Sequence, residues 1–242
     1  MLDAADDPWA DTAHFGGGHA GDSPTFRSSL GHPLRLLCLH GGGENSQAME
    51  FRMRPLQRLL GSDVEITCLD GGLPWQGAVD PDIRSMFGES DGKKIWGWYG
   101  TSEDAAGGLS YSGVEQSIFR IERFIEDHGP FDVLVGFSQG CSMITLLTAT
   151  LSQAGDLPWR ANLLCNGVPP KDGRYDHLFT AGLEVPSVHV LGKADPHYAL
   201  GLKLKDMYSR SLVVEHNEGH KLPDETPVTQ AIAAALQRLI IS

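Results

Sequence analysis

The fold of this chain is decided by residues 131–151, FDVLVGFSQGCSMITLLTATL. The apolar run from Phe131 to Val135 predicts a buried strand, and the apolar segment from Cys141 to Leu151 predicts a helix. Between them stands Gly136-Phe137-Ser138-Gln139-Gly140, which matches G-x-S-x-G. The pattern alone is weak, because a chain with 29 glycines in 242 residues matches it by chance about one time in four. Its place between a strand and a helix is the arrangement of a nucleophile elbow, in which a strained turn lifts the serine oxygen above a sheet.

Outward from this segment, short apolar runs alternate with longer periodic segments, which is typical of βαβ units. The strands predicted in this way are residues 34–39, 64–69, 131–135, 161–165, 188–191 and 212–215. A helix is predicted from Val114 to Ile125, with Ser112 and Glu115 as a capping box at its start. A last helix is predicted to open near Pro227. We therefore expect an α/β fold with a mostly parallel central sheet and helices on both faces.

Composition and charge exclude several functions. The 19 Lys and Arg against 31 Asp and Glu give a net charge of -12, so no nucleic-acid partner is expected. No run reaches the roughly 18 apolar residues of a membrane span, and no basic group precedes an apolar stretch near the start, so neither a span nor a secretory signal is expected. The cysteines lie at or inside apolar segments, which favours reduced thiols and a cytoplasmic location over a zinc site: Cys38, Cys68, Cys141 and Cys165.

Two parts of the chain depart from the alternation. Residues 1–30 are acidic and rich in Gly and Asp, and we interpret them as a flexible tail before one folded domain of residues 31–242. Residues 71–110 show little periodicity, and a long excursion of this kind is usually a lid or a binding loop. Its large apolar side chains either line a substrate pocket or only pack the loop: Trp75, Met86, Phe87, Trp96, Trp98 and Tyr99.

A serine hydroxyl is a weak nucleophile, so Ser138 requires a base and a group that orients the base. Asp195 and His220 follow the last two predicted strands, at the sheet edge where α/β sites are built. His216 is the alternative base, although we place it at the end of its strand. Alternatives to the orienting acid are two carboxylates nearer to the serine in the chain, Asp172 and Asp176. The order Ser138, Asp195, His220 is the order that α/β-hydrolases use.

Acyl transfer also needs N–H donors that stabilise the oxyanion. The loop Gly41-Gly42-Gly43 follows the first predicted strand, and we expect Gly42 to supply one donor and the N–H of Gln139 the other. The same loop could instead cradle a dinucleotide phosphate, with Asp70 as the acidic partner. That alternative is weak, because the loop lacks the G-x-G-x-x-G spacing.

Ordered motifs run through residues 34–240: Leu39-His40-Gly41, Leu69-Asp70-Gly71, Trp96-Gly97-Trp98-Tyr99, Gly129-Pro130-Phe131-Asp132, the serine pentapeptide, Gly167 with Pro169-Pro170, His189 to Gly192 with Asp195, and His216 to Pro223. Together they resemble the FSH family of serine hydrolases, within the α/β-hydrolase fold. The resemblance implies an esterase or thioesterase without metal or cofactor, in which Ser138 is the nucleophile, His220 the general base and Asp195 its partner. It implies a small-molecule acyl ester or thioester as substrate, and a carrier-protein-bound thioester is one form, because fungal relatives release polyketide chains from carrier proteins. Trp96, Trp98 and Tyr99 are the expected substrate-binding residues.

One departure from the family concerns the residues after His-Gly, where members often carry a bulky side chain and this chain has Gly42-Gly43. Two other functions stay open: a binding protein that has lost turnover, and an acyltransferase that uses the same residues with an alcohol or amine acceptor. The presence of Ser138, Asp195 and His220 favours catalysis. We therefore predict cleavage of a carboxylic ester or thioester through an acyl-serine intermediate.

Overall fold

The computed structural model describes residues 30–77 and 95–241. In chain order its strands are β1 (Leu34–Leu39), β2 (Val64–Leu69), β3 (Leu73–Pro74), β4 (Trp96–Gly97), β5 (Gly100–Glu103), β6 (Leu109–Ser112), β7 (Val133–Phe137), β8 (Ala161–Cys165), β9 (Ser187–Gly192) and β10 (Ser211–His216). Its α-helices are α1 (Ser46–Leu60), α2 (Val114–His128), α3 (Gln139–Ser152), α4 (Tyr198–Lys205) and α5 (Thr226–Ile241). The acidic tail predicted for residues 1–30 lies outside the described residues, except for Leu30.

Six of these strands form one parallel sheet in the order β10-β9-β8-β7-β1-β2, which confirms the predicted fold class. After β1 the chain adds β2 on one side of it. It then adds β7, β8, β9 and β10 in turn on the other side. The strand order therefore reverses between the neighbouring strands β1 and β7. Ligand sites of open α/β sheets form at the carboxyl ends of the strands beside such a point.

Helices cover both faces of the sheet, as the alternation predicted. Side chains of β1 point alternately to the two faces, so Leu36 and Cys38 pack with α1 and α5, whereas Leu37 and Leu39 pack with α2, α3 and α4. Both faces of the central strands are buried, and this explains why β7 is a continuous apolar run, whereas burial alternates along the edge strand β10.

Strand β7 begins two residues later than the sequence predicted. At Asp132 a side chain replaces one of the backbone hydrogen bonds of regular strand pairing. Its carboxylate accepts the N–H of Arg35 at 2.9 Å, and its own N–H donates to the Arg35 carbonyl at 2.8 Å. Regular pairing starts at Val133, opposite Leu36, and continues to Phe137, opposite Cys165. The strand therefore extends to the residue directly before Ser138.

The capping box predicted at Ser112 and Glu115 is wrong. Ser112 is the last residue of β6 and pairs with Gly100, and helix α2 is preceded instead by Gly113, which has a φ of 80° and makes no side-chain cap. Glycine adopts this left-handed conformation at little cost, so it turns the chain from the strand into the helix.

The excursion at residues 71–110 is partly regular. Strands β3 and β4 form one antiparallel pair, and β5 and β6 form another. Met86 and Phe87 lie outside the described residues. No helix within residues 30–77 and 95–241 is long and apolar enough to cross a membrane.

Candidate active site

Ser138 occupies a sharp turn between β7 and α3, with φ 51° and ψ -114°. Its N–H donates to the carbonyl of Cys165 at 3.1 Å, which ties the turn to the neighbouring strand β8. The helix passes close to the sheet on both sides of the serine. A Cβ on Gly136 would lie 2.8 Å from the Cys141 nitrogen, and a Cβ on Gly140 would overlap the Leu39 carbonyl. The two glycines of the pentapeptide are therefore required by the close passage of backbone that the sequence predicted.

A continuous chain of hydrogen bonds joins Ser138, His220 and Asp195. The Ser138 Oγ lies 2.9 Å from His220 Nε2, and His220 Nδ1 lies 2.7 Å from Asp195 Oδ2. An ionised carboxylate only accepts hydrogen bonds, so Nδ1 carries the imidazole proton and Nε2 is free to accept the proton of the serine. The Asp195 side chain is 2% exposed, and its second oxygen accepts the N–H of His197 at 2.8 Å. The carboxylate is thus fixed on both oxygens.

The loops that carry the acid and the base are bonded to each other. The N–H of Lys193 donates to the carbonyl of His216 at 2.8 Å, and the N–H of Ala194 donates to the carbonyl of Glu218 at 3.1 Å. Their backbones approach so closely at Gly192 that a Cβ there would overlap the carbonyl of Gly219. Parallel pairing of β9 and β10 therefore brings residues 25 positions apart within hydrogen-bond distance.

The alternatives to His220 and Asp195 have other partners. His216 is buried at the end of β10, where burial lowers its pKa, and the imidazole that reaches Ser138 is that of His220. Asp172 accepts the N–H of Tyr111 at 2.6 Å and is paired with Arg174 at 2.5 Å, and the Arg174 guanidinium holds the pKa of that carboxyl well below its usual range. This pair anchors the β5–β6 hairpin. Asp176 lies on the exposed 3-10 turn Gly173–Phe179.

The loop after β1 is held by hydrogen bonds on both sides of Gly42. The N–H of Gly41 donates to Glu44 Oε2 at 3.1 Å, and the N–H of Gly43 donates to the carbonyl of Trp96 at 2.9 Å. The N–H of Gly42 donates to no acceptor within the described residues. A Cβ placed on Gly42 would lie 3.3 Å from the side-chain oxygen of Gln139, so the two expected oxyanion donors belong to adjoining residues.

His40 orients the peptide that carries the Gly42 N–H. Its Nε2 accepts the N–H of Gly71 at 2.9 Å, so the ring proton is on Nδ1, which donates to the carbonyl of Gly41 at 2.6 Å. Burial lowers the pKa of His40, although the bond to Gly41 opposes this, and the neutral ring keeps both bonds. The C=O and N–H of a trans peptide point in opposite directions, so the bond to the Gly41 carbonyl fixes the direction of the Gly42 N–H.

A buried ion pair lies behind the same loop. The second oxygen of Glu44 accepts from Arg52 at 2.6 Å, and the Arg52 guanidinium lies 4.4 Å above the ring of Phe137, which precedes Ser138. The Phe137 ring in turn contacts His220, with 5.1 Å between ring centres. The loop after β1 and the nucleophile turn are therefore supported by one cluster of side chains.

The three expected substrate-binding aromatics have different surroundings. Trp98 has 0% of its surface exposed and donates through Nε1 to the His40 carbonyl at 2.8 Å, while the buried Tyr99 stacks on Tyr111 with 4.3 Å between ring centres. Both are packing residues in this structure and have almost no surface free to contact a substrate. Trp96 is half-buried and keeps some surface available.

Trp75 occupies the space that Gly42 and Gly43 leave open. A Cβ on Gly42 would lie 2.7 Å from the Trp75 ring, and a Cβ on Gly97 would lie 2.9 Å from it. This explains the departure from the FSH pattern after His-Gly, since the indole packs where a side chain on the loop would stand. Asp70, the acidic partner in the dinucleotide alternative, accepts the N–H of Ser46 at the start of α1 at 2.6 Å.

Two further observations bear on the chemistry. Cys141 follows the nucleophile turn, but it is buried, burial raises the pKa of its thiol, and its Sγ contacts the carbonyl of Cys165 at 3.3 Å. Across residues 30–77 and 95–241, no three His, Cys, Asp or Glu side chains converge in a way that could hold a metal ion.

Several residues that hold the site in place are not indicated by the sequence patterns. Glu44, Arg52 and Asn166 were not singled out, and Trp75 was named only among six apolar side chains. One signal was available for Asn166: an Asn-Gly dipeptide directly after an apolar run predicts a residue of unusual backbone conformation. Glu44 carried no such signal, because its partners come from separate elements.

Comparisons with known proteins show which family and which solved structures the chain is similar to. A family model described as Serine hydrolase (FSH1) matches residues 29–232. The human esterase OVCA2 is 31% identical over 215 residues, which cover 82% of this chain and 93% of that protein. Among solved structures, a carboxylesterase from Mesorhizobium loti has a TM-score of 0.57 at 16% identity, covering 84% of this chain and 88% of that chain. Acyl-protein thioesterase 2 from Zea mays has a TM-score of 0.56 at 18% identity, covering 85% of this chain and 94% of that chain.

Proposed function

The chain belongs to the FSH1 family of serine hydrolases, and from that membership we propose that it cleaves the carboxylic ester or thioester bond of an acyl substrate through an acyl-Ser138 intermediate. The observation that carries this proposal is the hydrogen-bonded chain from Ser138 Oγ through His220 to Asp195 at the carboxyl edge of the sheet. Nucleophile, base and orienting acid are the three parts that acyl transfer to serine requires.

In the first step His220 Nε2 accepts the proton of Ser138 as the serine oxygen bonds to the acyl carbonyl carbon. The carbonyl electron pair moves onto its oxygen, and the buried carboxylate of Asp195 stabilises the imidazolium that forms. Asp195 has one oxygen on His220 and the other on the His197 N–H, so it holds the ring in orientation without taking the proton.

The oxyanion is stabilised by the N–H groups of Gly42 and Gln139. Gln139 is the first residue of α3, a helix of 14 residues, and its N–H therefore lies at the positive end of the helix dipole. Gly42 contributes an N–H without an acceptor among the described residues, in a peptide whose direction His40 fixes. Donors that are oriented before the reaction stabilise developing charge without reorganisation.

The intermediate then collapses. The His220 imidazolium donates its proton to the departing oxygen or sulfur, the C–O or C–S bond breaks, and the acyl group stays on Ser138. Water enters, gives a proton to His220 Nε2 and attacks the acyl carbon, and the reverse proton transfer releases the free acid and restores Ser138. Water is the acceptor in this proposal, and transfer to an alcohol or amine is the competing outcome.

An acyl substrate is supported by the apolar surface beside the oxyanion donors. The half-buried Trp75 ring packs on Gly42 and Gly43, and the half-buried Trp96 bonds through its backbone to the same loop. Small-molecule sites are mostly apolar with a few polar groups that orient the ligand. Two leaving groups are proposed, an alcohol and a thiol. One relative is named an esterase, and one structural neighbour is named an acyl-protein thioesterase. A carrier-protein-bound thioester fits the same chemistry, because the scissile carbonyl is the same.

The test is hydrolysis of matched esters and thioesters: p-nitrophenyl butyrate and octanoate beside the butyryl and octanoyl thioesters of N-acetylcysteamine. Each is measured with the native chain and with Ser138→Ala. We expect release of free acid by the native chain and a loss of at least about 1,000-fold in the variant. Retained turnover in Ser138→Ala would contradict the proposal. Adding ethanol separates the classes further, because an acyltransferase would accumulate ethyl ester in place of the acid.

A further inference from the structure

Asn166 has a backbone conformation that few residues adopt. It follows β8 directly, its φ is 48°, and it is 2% exposed. Apart from Ser138, it is the one non-glycine residue with positive φ in the described ranges 30–77 and 95–241. Asn tolerates the left-handed region better than most residues, and such a conformation persists where the surroundings hold it firmly.

The side chain of Asn166 bonds to both loops of the proposed catalytic residues. Its Oδ1 accepts the N–H of Gly192 at 2.8 Å, and its Nδ2 donates to the carbonyl of Lys221 at 2.7 Å. Gly192 precedes Asp195 by three positions, and Lys221 directly follows His220. The backbone N–H of Asn166 also donates to the carbonyl of Val190 at 2.8 Å, so the residue is fixed to β9.

Ser138 is also hydrogen-bonded to the end of β8. Cys165, the neighbour of Asn166, accepts the N–H of Ser138 at 3.1 Å. The end of β8 therefore contacts the serine turn through Cys165, and the acid loop and the base loop through Asn166.

The bonding partners determine which side chain fits. Gly192 offers an N–H and Lys221 offers a carbonyl, so the position needs one acceptor and one donor on the same carbon, which a primary amide supplies. An aspartate would keep the acceptor but set a carboxylate oxygen against the Lys221 carbonyl. A glycine would keep the backbone conformation and lose both side-chain bonds.

We propose that Asn166 is a positioning residue, which holds the Asp195 loop and the His220 loop at the separation that keeps His220 on Ser138. This inference rests on the proposed function, since it assigns a role relative to those three residues. Asn166 acts through the loops and does not touch the reacting atoms. Small displacements of a base from its nucleophile reduce rate strongly, by about 100-fold for 1 Å.

The test compares Asn166→Asp and Asn166→Gly with a matched control, Asn162→Asp. Asn162 lies on β8, the strand that Asn166 follows, is fully buried and also uses both amide atoms, accepting from Trp159 Nε1 at 2.9 Å and donating to Thr148 Oγ1 at 3.1 Å. It contacts neither catalytic loop. The control therefore reports the loss of folding stability that follows from altering a buried amide on β8.

Three quantities are measured for each variant: kcat and KM for p-nitrophenyl butyrate, the rate constant of Ser138 labelling by a fluorophosphonate, and the fraction of chains labelled at completion. We expect kcat and the labelling rate to fall together by about 10- to 100-fold in both Asn166 variants, with KM and the final labelled fraction unchanged. Asn162→Asp should lower the melting temperature and leave the rate per labelled chain unaltered. Chains that unfold irreversibly lower the labelled fraction, and reversible unfolding lowers the rate only when the melting temperature approaches the assay temperature. A displaced base lowers the rate of chains that stay folded.

Rates in both Asn166 variants within twofold of the native chain would overturn the inference. So would an equal loss of rate in Asn162→Asp, because the effect would then not be specific to the loops. Asn166→Gly relieves the left-handed strain and guards against a variant that does not fold. Failure of the native chain to label at Ser138 would overturn the proposed function and this inference with it, and so the two failures are distinguishable.

Discussion

The Nδ1–H of His40 donates to the carbonyl of Gly41 at 2.6 Å, and this bond sets the direction of the next N–H, that of Gly42. His40 is buried, and its other nitrogen accepts the N–H of Gly71. One neutral imidazole thus connects the loop after β1 to the loop after β2. The proposed oxyanion donor depends on a residue that does not touch the substrate.

Replacing His40 should therefore reduce turnover without weakening substrate binding. We expect His40→Phe to lower kcat by about 100-fold, the loss typical of removing one oxyanion donor, with KM little changed. His40→Asn should lose less, because its amide can still donate to the Gly41 carbonyl. Steady-state kinetics on a short p-nitrophenyl ester measures this, with His177→Phe on the exposed 3-10 turn as the control. A rise in KM at constant kcat would assign His40 to binding instead.

Gly42 and Trp75 should behave as a coupled pair. Gly42→Ala places a Cβ 2.7 Å from the Trp75 ring, so either the ring or the loop must move and kcat/KM should fall. Trp75→Ala in the same chain opens the space and should restore part of the loss. A double-mutant cycle on kcat/KM gives the coupling. Additive effects of the two changes would show that the contact does not constrain the loop.

The thiols should differ in reactivity according to burial. Burial raises the pKa of Cys141 and raises that of Cys165 to about 12, and Cys38 is buried as well, whereas Cys68 on the edge strand β2 is partly exposed. We expect only Cys68 to react with a disulfide reagent in the native protein, and all four thiols to react in denaturant. Rapid reaction of Cys141 in the folded protein would contradict the packing described around the nucleophile turn.

Acid should destabilise the fold partly through His189. This side chain is fully buried, and burial lowers its pKa from 6.5 to about 3. Between those values the unfolded chain binds a proton that the folded chain does not, so stability is lost as pH falls below 6.5 and the loss levels off near pH 3. At pH 5 this one group should cost about 2 kcal/mol. Urea unfolding at pH 7 and pH 5 should show a smaller pH-dependent loss in His189→Gln, and an unchanged loss would place the acid sensitivity elsewhere.

The sheet could be predicted from the sequence because each strand carries a short apolar run, and the central strands β7 and β8 are buried on both faces. Leu34–Leu39 is apolar except for Arg35, Val64–Leu69 is apolar except for Glu65 and Thr67, and the bounds of both strands agree with the prediction. The start of β7 was misplaced, because Asp132 imitates a backbone carbonyl with its side chain, and no local pattern signals that. Ser112 failed as a cap for a similar reason, since its partner Gly100 belongs to a strand that the sequence did not reveal.

Ser138, Asp195 and His220 were predictable because each follows a strand, and parallel strands end at the same edge of the sheet. The residues that hold these three in place were not predictable, because their roles depend on contacts between elements far apart in the chain. Asn166 bonds to residues 26 and 55 positions away, and His40 bonds to Gly71, 31 positions away. Trp98 belongs to a segment that the sequence predicts to be a binding loop, and only the structure shows that its side chain is fully buried.

Activation of Ser138 by His220 and Asp195 is measured most directly by intact-mass and peptide mapping after exposure to a fluorophosphonate. The native chain is compared with Ser138→Ala and His220→Ala, each shown to be folded by its unfolding transition. We expect one adduct on the native chain, located on Ser138 and absent from both variants. A folded native chain without an adduct would contradict the account and favour a binding protein, and an adduct that survives in His220→Ala would assign the base to another residue.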